Sequence, residues 1–290
     1  MDFNFITDEN VVRAYNDLDN FQVIDNYSLE AIDATVVYFS SNGLYYPNTR
    51  DNFINTVLVK DRFEWKSQGF INAKRLIFIR DIRKQWYIGG VNKNIPDIES
   101  ITSLINKYHE SSQLICVGSS AGGYAAVLFG CLLKASYVIS FNGQFSLNDE
   151  VKKNQNIILK GSKSDFRYYY NLFDLIQNSE TVIYYMYSRY SRLDSKQSVF
   201  IKNLENVIML PFICFRHALP ISPKILNFIN FSDIKKKSKL PTLTIIFLIR
   251  YTPMKNMRKA LTYYIRSYFE LLVRHIELQA GKLQKKYEEK

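Results

Sequence analysis

Short apolar runs and longer stretches of helical spacing alternate through the middle of this chain. Residues Ala34 to Ser41 read ATVVYFSS, a β-branched and aromatic run that ends at an Asn-Gly turn signal. The runs Arg75–Asp81, Gln113–Gly118, Ala135–Phe141, Thr181–Ser188 and Asn206–Phe212 repeat that character, so six strands are expected. Between them the spacing turns helical. Pro96 to Tyr108 sets Ile98, Ile101, Leu104 and Ile105 on one face, with Pro96 near its start. Helical patterns follow in GGYAAVLFGCLLK after the third strand, SKQSVFIKNL after the fifth, and SPKILNFINF, Ser222 to Phe231, after the sixth. Strands alternating with helices predict an α/β fold with a mostly parallel central sheet flanked by helices.

The same pattern divides the chain. Residues 1–30 form a lead-in and 31–232 the main domain. Asn142 to Glu180, long for a connection and rich in Lys, Asp and Tyr, is expected to be a cap-like insertion. A KKKSKLP run at Lys235 to Pro241 marks a boundary. Beyond it Leu261, Ile265, Tyr268, Leu272, Ile276 and Leu283 recur near heptad spacing with charges between, which predicts an amphipathic helical tail over 233–290.

Charge sharpens that division. The formal net charge is +11 over 290 residues, yet Asp233 to Lys290 alone carries 14 Lys/Arg against 5 Asp/Glu. The body is therefore nearly neutral. A basic amphipathic tail suits contact with a membrane surface or a protein, and nucleic acid is not expected as a partner. Cysteine usage adds little: Cys116, Cys131 and Cys214 are too few for a disulfide scaffold and lack metal-ligand spacing, so no metal is expected. Acidic residues occupy the N-terminus where a signal peptide needs a basic start, and no run of about 18 apolar residues occurs. A cytoplasmic protein, peripheral to the inner membrane at most, is the expectation.

The chemistry lies in LICVGSSAGGYAAVLFG, Leu114 to Gly130. G-x-S-x-G fits only with Ser120 at its centre, because centring on Ser119 would need glycines where Val117 and Ala121 stand. An apolar strand before the motif and a helical pattern after it are the setting in which a serine is presented on a sharp turn. A Walker loop fails for want of G-K-[ST], and the dinucleotide pattern fails because Ser120 replaces its second glycine. A nucleophilic serine needs a base. Of three histidines, His109 precedes the serine and His275 sits in the tail, leaving His217 after the sixth strand. Asp194, in MYSRYSRLDSKQ, is the carboxylate placed to orient that imidazole; its alternative role is the N-cap of the following helix. Backbone N–H groups of Ala121 and Ser41, with Asn42 close behind, are the expected oxyanion donors. Asn42, Trp86 and Tyr87 are candidate substrate contacts, and the aromatic segments YYPNT and FRYYYNLF either stack on sugar faces or fill the core.

GSSAGGYAAVLFG, followed in order by Asp194 and His217, resembles the α/β-hydrolase superfamily. More narrowly, together with IFIRDIRKQWYIGG (Ile77 to Gly90), it is similar to serine O-acetyltransferases of bacterial capsules and to hydrolase-like proteins of glycan-assembly clusters. The histidine's setting, FRHALP, departs from the glycine-rich one usual there. The resemblance implies an α/β-hydrolase-like domain and transfer of an acyl group, most simply acetyl, through a Ser120 ester. The acceptor is then a polysaccharide hydroxyl with acetyl-CoA as donor, or water, which makes the protein a carboxylesterase or deacetylase on a small ester. A non-catalytic scaffold in an envelope-glycan assembly complex is the third reading.

Overall fold

A computed structural model of the chain describes residues 3–67, 71–147, 169–212, 214 and 216–219. A seven-stranded sheet runs in the order β1-β3-β2-β4-β5-β6-β7. The strands are β1 (Phe21–Asp25), β2 (Ile32–Phe39), β3 (Ala73–Ile79), β4 (Gln113–Ser119), β5 (Tyr137–Phe141), β6 (Val182–Ser188) and β7 (Val207–Phe212). All pairings are parallel except β1 against β3. Six of the strands are the expected apolar runs. The seventh, β1, and the helix before it, α1 (Glu9–Asp17), occupy a stretch expected only as a lead-in. An edge strand has one neighbour and stays half-buried, so FQVID is too short and too mixed to announce itself. Asp8 caps α1 by accepting from the Asn10 N–H, and Val11, Ala14 and Tyr15 are buried beneath it.

The remaining helices are α2 (Arg50–Phe53), continuing as a π-helical turn at Ile54–Val59, α3 (Ile98–Tyr108), α4 (Ala121–Leu132), α5 (Phe173–Gln177) and α6 (Arg192–Ile201). In α3 the expected face, Ile98, Ile101, Leu104 and Ile105, is the buried one, behind a capping box between Asp97 and Ser100. The helix expected over SKQSVFIKNL begins earlier, at Arg192, because the Ser191 hydroxyl accepts from the Asp194 N–H. Ser191, not Asp194, is therefore the N-cap. Within the expected insertion, α5 and the residues flanking it are described, whereas 148–168 lie outside the described residues, as do the helix expected at Ser222–Phe231 and the 233–290 tail.

Successive residues of a strand face opposite sides, and both sides of this sheet are buried. Val37, Phe39, Ile77, Cys116 and Val138 join α3 and α4 in one cluster. Val36, Tyr38, Phe78, Ile115, Val117 and Ile139 form another with Phe63 and Trp65. Helix α4 is apolar all round and buried from Ala121 to Cys131, with Phe129 stacked on Phe39 at 5.4 Å between ring centroids. All three cysteines are free and buried. Among the described residues no helix is long and apolar enough to cross a membrane.

This packing fixes where the carboxyl ends of the strands fall. Register pairs Phe39 with Gly118, Ser119 with Phe141, Phe141 with Met186, and Ser188 with Phe212. Four adjacent strands, β4 to β7, thus end side by side. In open α/β sheets such an edge is where ligands bind.

Candidate active site

Ser120 stands between β4 and α4 with φ +52° and ψ −116°. A non-glycine residue held in such a backbone costs about 1–3 kcal/mol, which the surroundings must over-determine. They do so through contacts that leave no room for side chains. A Cβ on Gly118 would lie 2.1 Å from the Gly122 carbonyl oxygen, and one on Gly122 would lie 2.3 Å from that of Phe39. The two glycines let the turn close against β2 and α4. The Ser120 N–H donates to the Phe141 carbonyl at 2.8 Å, anchoring the turn to β5, and the Ser120 carbonyl accepts the first helical bond, from Tyr124, at 3.0 Å. The Ala121 N–H, at the first turn of α4, has no acceptor within its own helix and carries the positive end of the helix dipole.

The structure brings Ser120, His217 and Asp194 together, although 97 residues separate the first two. His217 Nε2 lies 2.8 Å from Ser120 Oγ, and His217 Nδ1 lies 2.6 Å from Asp194 Oδ1. The carboxylate accepts only, so Nδ1 carries the proton and Nε2 is left to accept from the serine hydroxyl. Asp194 sits in the first turn of α6, its side chain fully enclosed, while the His217 side chain is 28 % exposed and Ser120 half-buried. That gradient from a dry acid to a reachable hydroxyl is what a serine nucleophile needs: the acid holds the imidazole and stabilises its charged form, and the outer end meets substrate.

The second expected oxyanion donor has an occupant. The Ser41 N–H donates to Glu64 Oε2, and the Ser41 hydroxyl donates to Glu64 Oε1 at 3.0 Å. The Ser40–Ser41 turn runs beside the elbow, since a Cβ on Gly122 would also meet the Ser40 carbonyl oxygen at 2.9 Å. Burial pushes the Glu64 carboxyl up, opposed by the two Ser41 bonds and by Arg62 and Lys84. Lys84 donates to the Asn42 carbonyl at 2.5 Å and to the Asn48 side chain, over the Tyr45 ring. Burial pushes Lys84 down to about 8, with Asp81 and Glu64 pulling the other way. Asp81 is itself pushed up by burial to about 6, though the N–H groups of Tyr87, Gln85 and Arg83 point at it. Glu64 lies in no recognisable motif, and Lys84, though within the Ile77–Gly90 stretch, had no expected role.

The aromatic substrate contacts need correction. Tyr87 is fully buried and donates to the carbonyls of Ser40 and Ile79; Trp86 is nearly so and donates to Gln144 at 2.6 Å. Both belong to the core and leave no ring face for a sugar. Asn42 is half-buried, with its carbonyl engaged by Lys84. Tyr45 is buried and Tyr46 exposed, while Phe166 to Tyr168 lie outside the described residues. His109 terminates α3, and His275 lies outside the described residues. Among the described residues no group of three or more His, Cys, Asp or Glu could hold a metal. Two clefts of about 530 and 570 Å³ open at the amino ends of the strands, around Arg75 and Ser136, opposite Ser120.

One residue at the site had no expected role. Asn142 follows β5, is buried, and reaches both Asp194 and the segment that carries His217. An Asn-Gly pair at the end of an apolar strand was its only sequence signal.

No family model matches the chain, and no curated protein matches it in sequence. Similar solved structures include the capsule O-acetyltransferase of Neisseria meningitidis serogroup A, 16% identical over 67% of this chain and 83% of that one, with a TM-score of 0.49. Another is the Glycosylation Associate Protein (Gap123) complex from Streptococcus agalactiae, 16% identical over 66% of this chain and 40% of that one, at 0.41. A third is an alpha-beta serine hydrolase homologue from Coxiella burnetii, 12% identical over 66% and 80%, at 0.37.

Proposed function

We propose that this chain, whose sheet and elbow make an α/β-hydrolase-like fold, transfers acyl groups through Ser120. The observation that carries the reading is the unbroken hydrogen-bonded line from Ser120 through His217 to Asp194, starting on a strained turn. Ser120 Oγ attacks an ester or thioester carbonyl while His217 Nε2 takes its proton; the oxyanion forms against the Ala121 N–H. The imidazolium returns the proton to the leaving oxygen or sulfur as the bond to it breaks. An acceptor hydroxyl then gives its proton to His217 and attacks the acyl-serine, and His217 returns that proton to Ser120 Oγ as the acyl–serine bond breaks.

A sugar hydroxyl of a bacterial surface polysaccharide is the acceptor that the sequence resemblance supports, with acetyl-CoA as donor. Hydrolysis is the second reading, favoured by the exposed edge of His217, which admits water. A cytoplasmic location and tail-mediated contact with a membrane surface or a protein belong to the same proposal; deleting 233–290 should abolish liposome or partner binding.

A fluorophosphonate probe followed by peptide mapping tests the chemistry. Label on Ser120, absent from Ser120→Ala, is expected; an unlabelled Ser120 in folded protein would leave the scaffold reading in its place. Turnover of p-nitrophenyl acetate with and without a sugar acceptor then separates transfer from hydrolysis.

A further inference from the structure

We propose that Asn142 is a positioning residue that holds the acid and the histidine in one frame, an inference that rests on the acyl-transfer reading of Ser120. Its side-chain amide nitrogen lies 3.1 Å from Asp194 Oδ2, 2.8 Å from the Ala218 carbonyl and 3.1 Å from Ser188 Oγ. A carboxylate and a carbonyl can only accept, so the amide must turn its nitrogen to them, and its two N–H bonds serve these two acceptors. The Ser188 hydroxyl can in turn donate to the same Ala218 carbonyl, at 3.4 Å.

The two oxygens of Asp194 are thus divided: Oδ1 faces His217 and Oδ2 faces Asn142. Ala218 directly follows His217, so the same amide fixes the plane of the acid and the backbone beside the imidazole. Both must be set together for Nδ1 to keep its proton and Nε2 to point at Ser120.

The cost of placing an asparagine here argues against a filler. Its backbone sits at φ +48°, its N–H is tied to the Met186 carbonyl at 2.8 Å, and its Oδ1 is buried without a partner among the described residues. A buried orphan acceptor is destabilising, and an apolar residue would avoid it. Left-handed backbone also restricts the choice, since asparagine, aspartate and glycine tolerate it best. The fit to two pure acceptors singles out the amide among those three.

Two variants that respect the backbone test this in the full chain. Asn142→Asp keeps the shape and loses the donor; Asn142→Gly keeps the backbone and loses the side chain. Ester turnover is expressed per fluorophosphonate-titrated site, so that misfolded molecules drop out of the count. Both variants are expected to lower kcat per site by about 10- to 100-fold with KM within about threefold. The low-field NMR signal of the His217 Nδ1 proton should disappear or move upfield in both. Unchanged kcat per site, or an unchanged His217 signal in either variant, overturns the proposal and leaves Asn142 a structural residue. The NMR arm decides even where wild-type Ser120 takes no label, an outcome that defeats the acyl-transfer reading instead.

Discussion

The backbone N–H of Ser41, the expected second oxyanion donor, is hydrogen-bonded to the carboxylate of Glu64. On the acyl-transfer reading, a negative group already holding that N–H competes with the oxyanion for it and repels it. On that reading Glu64 is expected to act as a brake on the site rather than as part of it.

Neutralising the brake should release it. Glu64→Gln is expected to raise kcat for a neutral ester by about tenfold with little change in KM. Because burial raises the Glu64 carboxyl, the wild-type group is neutral at low pH and resembles glutamine there. The ratio of variant to wild type should hence approach one on acidification and grow as pH rises. Steady-state kinetics across pH checks both; a slower variant at every pH would show that Glu64 assists.

Asp194→Asn should fail through the wrong tautomer. The Asn142 amide demands an acceptor, so the new side chain must turn its oxygen to Asn142 and its nitrogen to His217 Nδ1. The imidazole then carries its proton on Nε2 and cannot accept from Ser120. A loss of about 10³- to 10⁴-fold in kcat is expected, with ¹⁵N NMR of His217 reporting the tautomer switch.

Glycines near the site should divide sharply by what a methyl group would touch. Gly122→Ala forces a Cβ into the Phe39 backbone and should cost about 3 kcal/mol or more. Gly89→Ala meets nothing closer than 3.7 Å, from the Gln85 side chain, and should stay within about 1 kcal/mol of wild type. Denaturant melts of the two variants make the comparison.

Lys84 gives the fold an alkaline signature. Its folded value of about 8 lies below the ordinary 10.5, so between these the unfolded chain holds the proton and the folded chain does not. Stability contributed by this residue should rise with pH across that window, by on the order of 3 kcal/mol. Deprotonation still leaves two N–H bonds for Asn42 and Asn48. In Lys84→Met the rise should flatten, and a wild-type curve parallel to the variant's would refute the assignment.

The strands of the parallel sheet were legible because both of its faces are buried, which writes a near-continuous apolar run into each of β2 to β7. The elbow was legible because Gly118 and Gly122 are demanded by close backbone approach, Gly118 by the Gly122 carbonyl and Gly122 by the Phe39 carbonyl of β2. His217 and Asp194 could be ordered along the chain because few alternatives exist. Glu64, Asn142 and Lys84 could not be found this way. Their roles depend on partners such as Ser41, Ala218 and Asn42, brought near only by tertiary packing. Trp86 and Tyr87 misled for the converse reason: an aromatic pair reads alike whether it faces a ligand or the interior.

The order of the strands also carries a schedule. From β4 through β7 the sheet grows by one strand at a time in the direction of synthesis, and the imidazole comes last, 97 residues after the hydroxyl it activates. On the acyl-transfer reading, Ser120 is therefore expected to be an ordinary alcohol on the ribosome until β7 has docked. The nascent chain would then be spared acylation by passing thioesters, and reactivity toward a probe is expected to be a timestamp for completion of the sheet.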